Sequence, residues 1–267
     1  MNKFQHFVAK HRALSKIIVI VFWWLFWFIL WCVALDFGKW TAAVCFALCV
    51  IFYTIWVDAA AGAVMKPCLD TLNNKCDPYP LLSETEKLLT YKNTENMKRT
   101  ILINYAVALR DVGEYQRVYD LLKSVNIDKE PLVLNKCAYY NNLFDICTVL
   151  GKDEEARIWF EKYMQVYNDM KGKRAKEMLS SSVTAAKAMD AYMRGDYITA
   201  VNLINSNVPK NLRGRVESAM DYARACIALG ESERAAEALS FIIQNGNKLY
   251  CVNEAAAMLR RIRGVEG

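Results

Sequence analysis

The apolar residues of this chain are unevenly placed, and their pattern changes twice along its length. From Ile17 to Leu35 runs IIVIVFWWLFWFILWCVAL, nineteen residues without a charge, and from Trp40 to Val57 runs WTAAVCFALCVIFYTIWV, eighteen more. Runs of this length suit helices that cross a hydrocarbon core about 30 Å thick at about 1.5 Å per residue. Only Asp36, Phe37, Gly38 and Lys39 lie between them, so the spans over 17–35 and 40–57 are expected as an antiparallel hairpin with both ends on one side. The tail over 1–16 carries Lys3, Lys10, Arg12 and Lys16 and no acid, which by the positive-inside bias puts both termini in the cytoplasm. A cleaved signal peptide also begins basic and turns apolar, but this run is longer, crowded with tryptophan and followed at once by a second.

Within the first span Phe22, Trp23, Trp24, Phe26, Trp27, Phe28 and Trp31 surround the helix, while the second offers Ala42, Cys45 and Cys49 at helical spacing. Large rings against a small-residue face give a packing account of the pair. Neither run carries an ionisable residue of the kind that marks intramembrane function. From Asp58 to Pro80 the sequence turns mixed, with Pro67 interrupting a helix and Asp77-Pro78-Tyr79-Pro80 making a break, so 58–80 is expected as a juxtamembrane linker. Ser83 with Glu86 three residues later fits a capping box, placing the start of a soluble domain near residue 81.

From there to residue 267 the pattern is helical, with no strand-like alternation, and single glycines punctuate it. Gly113, Gly151, Gly195 and Gly230 each follow one amphipathic stretch and precede another, at spacings of 38, 44 and 35 residues. Five residues after each glycine stands Val118, Ala156, Ala200 or Ala235; nine after, Leu122, Phe160, Ile204 or Leu239; seven before, Ala106, Phe144, Ala188 or Ala223. A small residue at a helix crossing and a large one beside it suit antiparallel helix pairs, and glycine admits the left-handed conformation that closes a helix. Lys248 to Arg263 reads as a capping helix with Leu249, Val252, Ala256 and Leu259 inward and Arg260, Arg261 and Arg263 outward.

This pattern resembles the tetratricopeptide repeat over about 170 residues. It lacks the family's tryptophan near the start of the first helix, its spacings exceed the usual period of about 34 residues, and Pro131 and Pro209 echo the family's proline only loosely. With the transmembrane hairpin read from the apolar runs, the resemblance implies an all-α chain: the hairpin, then an α-solenoid of four to five helix-turn-helix repeats over 81–267 with a C-terminal cap. It also implies a concave groove lined by the first helix of each pair. Positions ten, six and three before each glycine then give the candidate partner-binding residues Arg110, Asn141, Asp145, Thr148, Met189, Tyr192, Met220 and Arg224, with Ile103, Val107, Ala185 and Ile227 between them. Ile103 and Val107 stand where the carboxylate-gripping members of the family need basic or amide side chains, so that specificity is not expected.

Charge adds little to this picture. The whole chain carries a net +6, but basic and acidic side chains nearly balance from residue 101 onward, so no nucleic-acid partner is expected. The group Lys171, Lys173, Arg174 and Lys176 either meets anionic lipid, as a domain tethered close to a bilayer can, or is a solvated inter-repeat loop; Lys210, Arg213 and Arg215 form a second group. Chemistry is sparse. Both histidines, His6 and His11, sit in the basic tail, and there is no phosphate-cradling glycine loop, no HExxH and no nucleophile elbow, so neither enzyme activity nor a cofactor or metal is expected. Glu154 and Glu155 suit the start of a helix without any catalytic role. No CxxC occurs among the nine cysteines; Cys68 and Cys76 are the one pair to weigh as a redox or palmitoylation site. The expected function is a two-pass, cell-membrane scaffold that binds the bilayer through 17–57 and presents repeats to a protein or peptide partner in the cytoplasm. The alternative is an accessory subunit of a larger membrane complex in transport, secretion or envelope assembly, its aromatic hairpin touching other spans.

Overall fold

The computed structural model describes residues 17, 20–28, 63–91 and 93–264. Among them the chain is all-α, with helices joined by turns and no strand. No helix of the described residues is long and apolar enough to cross a membrane. The tail over 1–16, the span expected over 40–57 and part of that over 17–35 lie outside the described residues. Residues 20–28 are helical, with Phe22, Trp24, Leu25 and Phe28 exposed and the Trp23 and Phe26 rings packed edge to face at 5.4 Å.

The chain divides into two compact units, one comprising residues 1–68 and 87–93 and the other 69–86 and 94–267. The helices are α1 (Lys66–Lys75), α2 (Tyr79–Leu89), α3 (Glu95–Asp111), α4 (Tyr115–Lys123), α5 (Val133–Val149) and α6 (Asp153–Asp169), followed by α7 (Lys173–Met193), α8 (Tyr197–Ser206), α9 (Leu212–Ala228), α10 (Ser232–Asn245) and α11 (Cys251–Ile262). In the second unit α3/α4, α5/α6, α7/α8 and α9/α10 are four antiparallel pairs. Each pair packs on the next, and the first helices α3, α5, α7, α9 and α11 touch in that order. They form one layer and α4, α6, α8 and α10 the other, which is a helical repeat architecture.

The four glycines perform the turn their spacing predicts. Gly113, Gly151, Gly195 and Gly230 have φ of 90°, 68°, 79° and 77°. After each, the next backbone N–H reaches five residues back, as Glu114 to Leu109, Lys152 to Cys147, Asp196 to Ala191 and Glu231 to Cys226. This double closure satisfies carbonyls that a helix end otherwise leaves unpaired. The small residues aligned on the glycines are at the crossings: Ala106, Ala188 and Ala223 before the turn and Val118, Ala156, Ala200 and Ala235 after it are buried. Phe144 and Phe160 fill the second pair instead, rings 5.3 Å apart.

Two boundaries differ from expectation. The segment 58–80 is not a bare linker, since it contains α1 and the start of α2. Leu72 and Cys76 are buried, Asn247 Nδ2 donates to the Lys75 carbonyl at 2.7 Å, and the Lys248 N–H donates to the Cys76 carbonyl at 3.2 Å. Apolar residues at helical spacing thus outweigh the proline signals, because Pro67 falls in the first turn of α1, where no intrahelical donor is missed. For the same reason Pro80 is tolerated in α2, which opens at Tyr79 rather than Ser83, with Asp77 Oδ1 accepting from the Tyr79 N–H at 3.2 Å. At the other end α11 begins at Cys251, not Lys248. Leu249 and Ala255 are buried, whereas Val252, Ala256 and Leu259 are half-buried.

Polar clamps lock the first repeats. Arg99 and Glu130, nearly buried, pair at 3.0 Å, Arg99 also donates to the Lys129 carbonyl, and Glu130 accepts from the Leu132 N–H and Asn135. This ties the α4–α5 connection to α3. Tyr105 donates to Glu86 at 2.9 Å and accepts from Arg117, joining α2, α3 and α4.

Gly113 has a second duty: a Cβ there would stand 2.5 Å from the Tyr250 ring, while a Cβ on Gly151 would meet nothing within 4 Å. Gly151→Ala is therefore expected to cost only the conformational penalty of about 1–2 kcal/mol, and Gly113→Ala that penalty plus about 1–3 kcal/mol of overpacking. Chemical unfolding of the two variants compares them, and equal losses would mean that Tyr250 does not pack on the first turn.

Candidate functional site: the charged inner face

The inner layer carries an ion network that begins where α3 ends. Arg110 is followed directly by Asp111, the two side chains meet at 3.3 Å, and both also find partners on α9. Arg213, in the first turn of α9, forks onto Asp111 at 2.7 and 3.1 Å and reaches Glu217 at 3.0 Å. Arg110 donates to Asp145 on α5 at 2.8 Å, and also to Glu217. Arg224, two turns further along α9, lies 3.6 Å from Asp221 and 3.5 Å from Glu254 on α11. Residues 213, 217, 221 and 224 stand on one stripe of α9, so a single helix face supplies half of the network.

Tyr115 and Tyr250 complete the junction. Their rings meet edge to face at 5.7 Å, Tyr115 donates to Glu254 at 3.3 Å, and the Tyr250 N–H donates to the Asp111 carbonyl at 2.9 Å. The last pair and its capping helix thereby fold back on the first pair, and four repeats close on themselves.

Burial and charge set the ionisation of this face. Burial opposes charge on Arg110, but Glu217, Asp111 and Asp145 more than offset it and hold the guanidinium charged. Arg213 is shifted the same way, with burial outweighed by Asp111 and Glu217. Burial raises Asp145 from 3.8 to about 6 against the pull of Arg110, and raises Asp221 to about 7 against the pull of Arg224. Both carboxyls nevertheless keep solvent access, with side chains 29% and 26% exposed, so the face is deep but open to water.

Of the residues read as a groove, Arg110, Asn141 and Asp145 are brought together, Asn141 donating to Asp145 at 3.2 Å, and Arg224 belongs to the same face. Thr148 bonds the Phe144 carbonyl and Met193 Sδ, which links α5 to α7. Tyr192 packs its ring on Tyr197 at 5.4 Å, Met189 is half-buried, and Met220 is buried in the core. Asp111, Tyr115, Arg213, Glu217, Asp221 and Glu254 were not in that set. The signal for three of them, Arg213, Glu217 and Asp221, was the charge repeat at 213, 217, 221 and 224, masked by grouping Arg213 with Lys210 and Arg215 as a basic cluster. Arg213 is instead largely buried in a helix.

Among the described residues no group of three or more His, Cys, Asp or Glu side chains is placed to hold a metal ion. Cys68 and Cys76 are buried, and burial pushes the Cys76 thiol up to about 11, which disfavours the thiolate. Glu155 accepts from the Tyr119 hydroxyl at 2.9 Å, a packing role at the start of α6. Compared with known proteins, the chain matches no family model and no curated protein.

Because Asp221 binds its proton more tightly in the fold than in the unfolded chain, where its pKa is near 3.8, the domain should gain stability as pH falls from 8 towards 5. Asp145 acts in the same direction. Asp221→Asn is expected to raise the melting temperature at pH 8 and flatten this slope, as thermal unfolding at several pH values would read; an unchanged slope would show that Asp221 ionises freely.

Proposed function

We propose that the protein is a membrane-anchored scaffold that holds a tetratricopeptide-like repeat domain at the cytoplasmic face and offers its inner face to a protein or peptide partner. The observation that carries this reading is the inner layer itself: four successive first helices and the capping helix α11 in contact, with Asp145, Glu217, Asp221, Arg224 and Glu254 still a quarter or more exposed. Stacked helix pairs present such continuous surfaces for recognition. The glycine turns and small crossing residues support the tetratricopeptide-like assignment, and the uncharged runs over 17–35 and 40–57 support the anchor. The reading assigns no catalysis and no cofactor.

A second reading, an accessory subunit of a larger membrane complex, draws on the outward-facing aromatic side chains at 22, 24, 26 and 28, which suit another span as well as lipid. Crosslinking in detergent extract separates the two. Under the scaffold reading a soluble partner is captured and Arg224→Gln weakens its capture without loss of helicity. Under the subunit reading integral membrane proteins are captured, and replacing residues 17–57 by an unrelated hairpin abolishes this. Topology has its own test at Ser232, an exposed residue at the start of α10. A membrane-impermeant thiol reagent should leave Ser232→Cys unmodified in intact cells and modify it after permeabilisation; modification in intact cells would put the repeat domain outside.

A further inference from the structure

The turn between α6 and α7 differs from the inner face in one respect: its basic side chains make no ion pairs among the described residues. A shallow hollow of about 390 Å³, open to solvent, lies there, lined by Tyr167, Lys171, Lys173, Lys176, Glu177 and Ser180 among others. Three ammonium groups face one carboxylate, and Arg174 adds a fourth positive charge in the same turn. Among the described residues none of Lys171, Lys173, Arg174 or Lys176 has a carboxylate within ion-pair distance. Some lysines of the domain are accommodated, as Lys123 is by Glu155 and by the Trp159 ring, and Lys152 by the Tyr119 ring at 3.5 Å; what sets this turn apart is that its basic residues are clustered.

Local backbone geometry adds to this surplus. Helix α7 begins after Gly172, which has no side chain to cap it, and its first turn contains no acid. Positive side chains at a helix N-terminus oppose the helix dipole and leave its first N–H groups without an anionic acceptor. Lys176 is nonetheless positioned, its Nζ donating to the Asn168 carbonyl at 3.0 Å and lying 5.6 Å from the centre of the Tyr167 ring. Unpaired lysines around a cavity of ligand size, at an uncapped helix start, form an arrangement that an anion with several acceptor oxygens would neutralise.

We propose that this lysine pocket binds a phosphate group, with the headgroup of an anionic phospholipid as its source. The phosphate oxygens accept from Lys171, Lys173 and Lys176 and from the open N–H groups of α7. A polar headgroup extending from the phosphate meets Ser180 and Tyr167. This site is separate from the inner face, so it binds whether or not that face takes a protein partner.

The test uses the full chain purified in a nonionic detergent and titrated with dioctanoyl phosphatidic acid, dioctanoyl phosphatidylcholine or inorganic phosphate, with binding followed by calorimetry. Saturable binding of phosphatidic acid is expected, weakened at least tenfold by the triple change Lys171→Gln, Lys173→Gln, Lys176→Gln and retained when the three become Arg. Lys210→Gln with Arg215→Gln, which removes exposed charge elsewhere, should leave it unchanged. Binding of phosphatidic acid with much weaker inorganic phosphate supports the lipid source, whereas equal binding of the two supports the phosphate site and overturns the lipid as its ligand. No saturable binding, equal binding of phosphatidylcholine, or a triple Gln variant that binds like the parent would overturn the proposal.

Discussion

Asp111 ends the first helix of the first pair and Arg213 begins the first helix of the fourth, and the forked contact between them is what the rest of the repeat domain depends on. The two residues are 102 positions apart, and both side chains are largely removed from water, at 5% and 14% exposure. Charges so placed are costly unless paired, and losing one partner of such a pair leaves the other stranded. Arg110 extends the junction to Asp145 and Glu217, and Tyr250 settles against Gly113 only because that residue has no side chain. A stack of helix pairs has free ends by default, each exposing an apolar face. Here the cap is shared: α11 covers the last pair while its leading turn packs on the first.

Such closure explains why the inner face is mostly polar. Helices from non-adjacent repeats meet there through long side chains rather than by tight apolar packing, which the alanine positions provide between neighbours. Water still reaches Asp145 and Asp221, so their ionisation remains sensitive to pH while the guanidinium groups between them stay charged. On the opposite layer aromatic rings carry the lysines, as Trp159 does by stacking on Tyr140 at 6.0 Å beneath Lys123 and Lys162. At the α6–α7 turn Lys176 lies over the Tyr167 ring, but among the described residues Lys171, Lys173 and Arg174 have neither an ion pair nor a ring beneath them.

Much of the fold was legible in the sequence because it rests on local requirements. Glycine is favoured where φ is positive and small residues where helices cross; the glycines recur at 113, 151, 195 and 230, and the small residues keep register with them except at Phe144. The junction was not legible, since nothing in helical periodicity relates Asp111 to Arg213. Near the start of the domain, Pro67 and Pro80 looked like breaks, whereas each sits in a first turn that tolerates it and Leu72 and Cys76 supply the buried stripe. The inner-face residues were found in part: the glycine offset located Arg110, Asn141, Asp145 and Arg224 but put Met220 in the groove. The stripe through 213, 217, 221 and 224 identifies the ion-paired inner side of α9 better than the offset does.

If the ends of the repeat array are held together by this junction, Asp111 and Arg213 must be energetically coupled. A double-mutant cycle with Asp111→Asn and Arg213→Gln, read by chemical unfolding of the full chain, measures that coupling directly. The account predicts that the double variant is less destabilised than the sum of the single ones, with a coupling of about 1–3 kcal/mol. Strict additivity would contradict it, and would show that the contact between Asp111 and Arg213 does not hold the first and last pairs together.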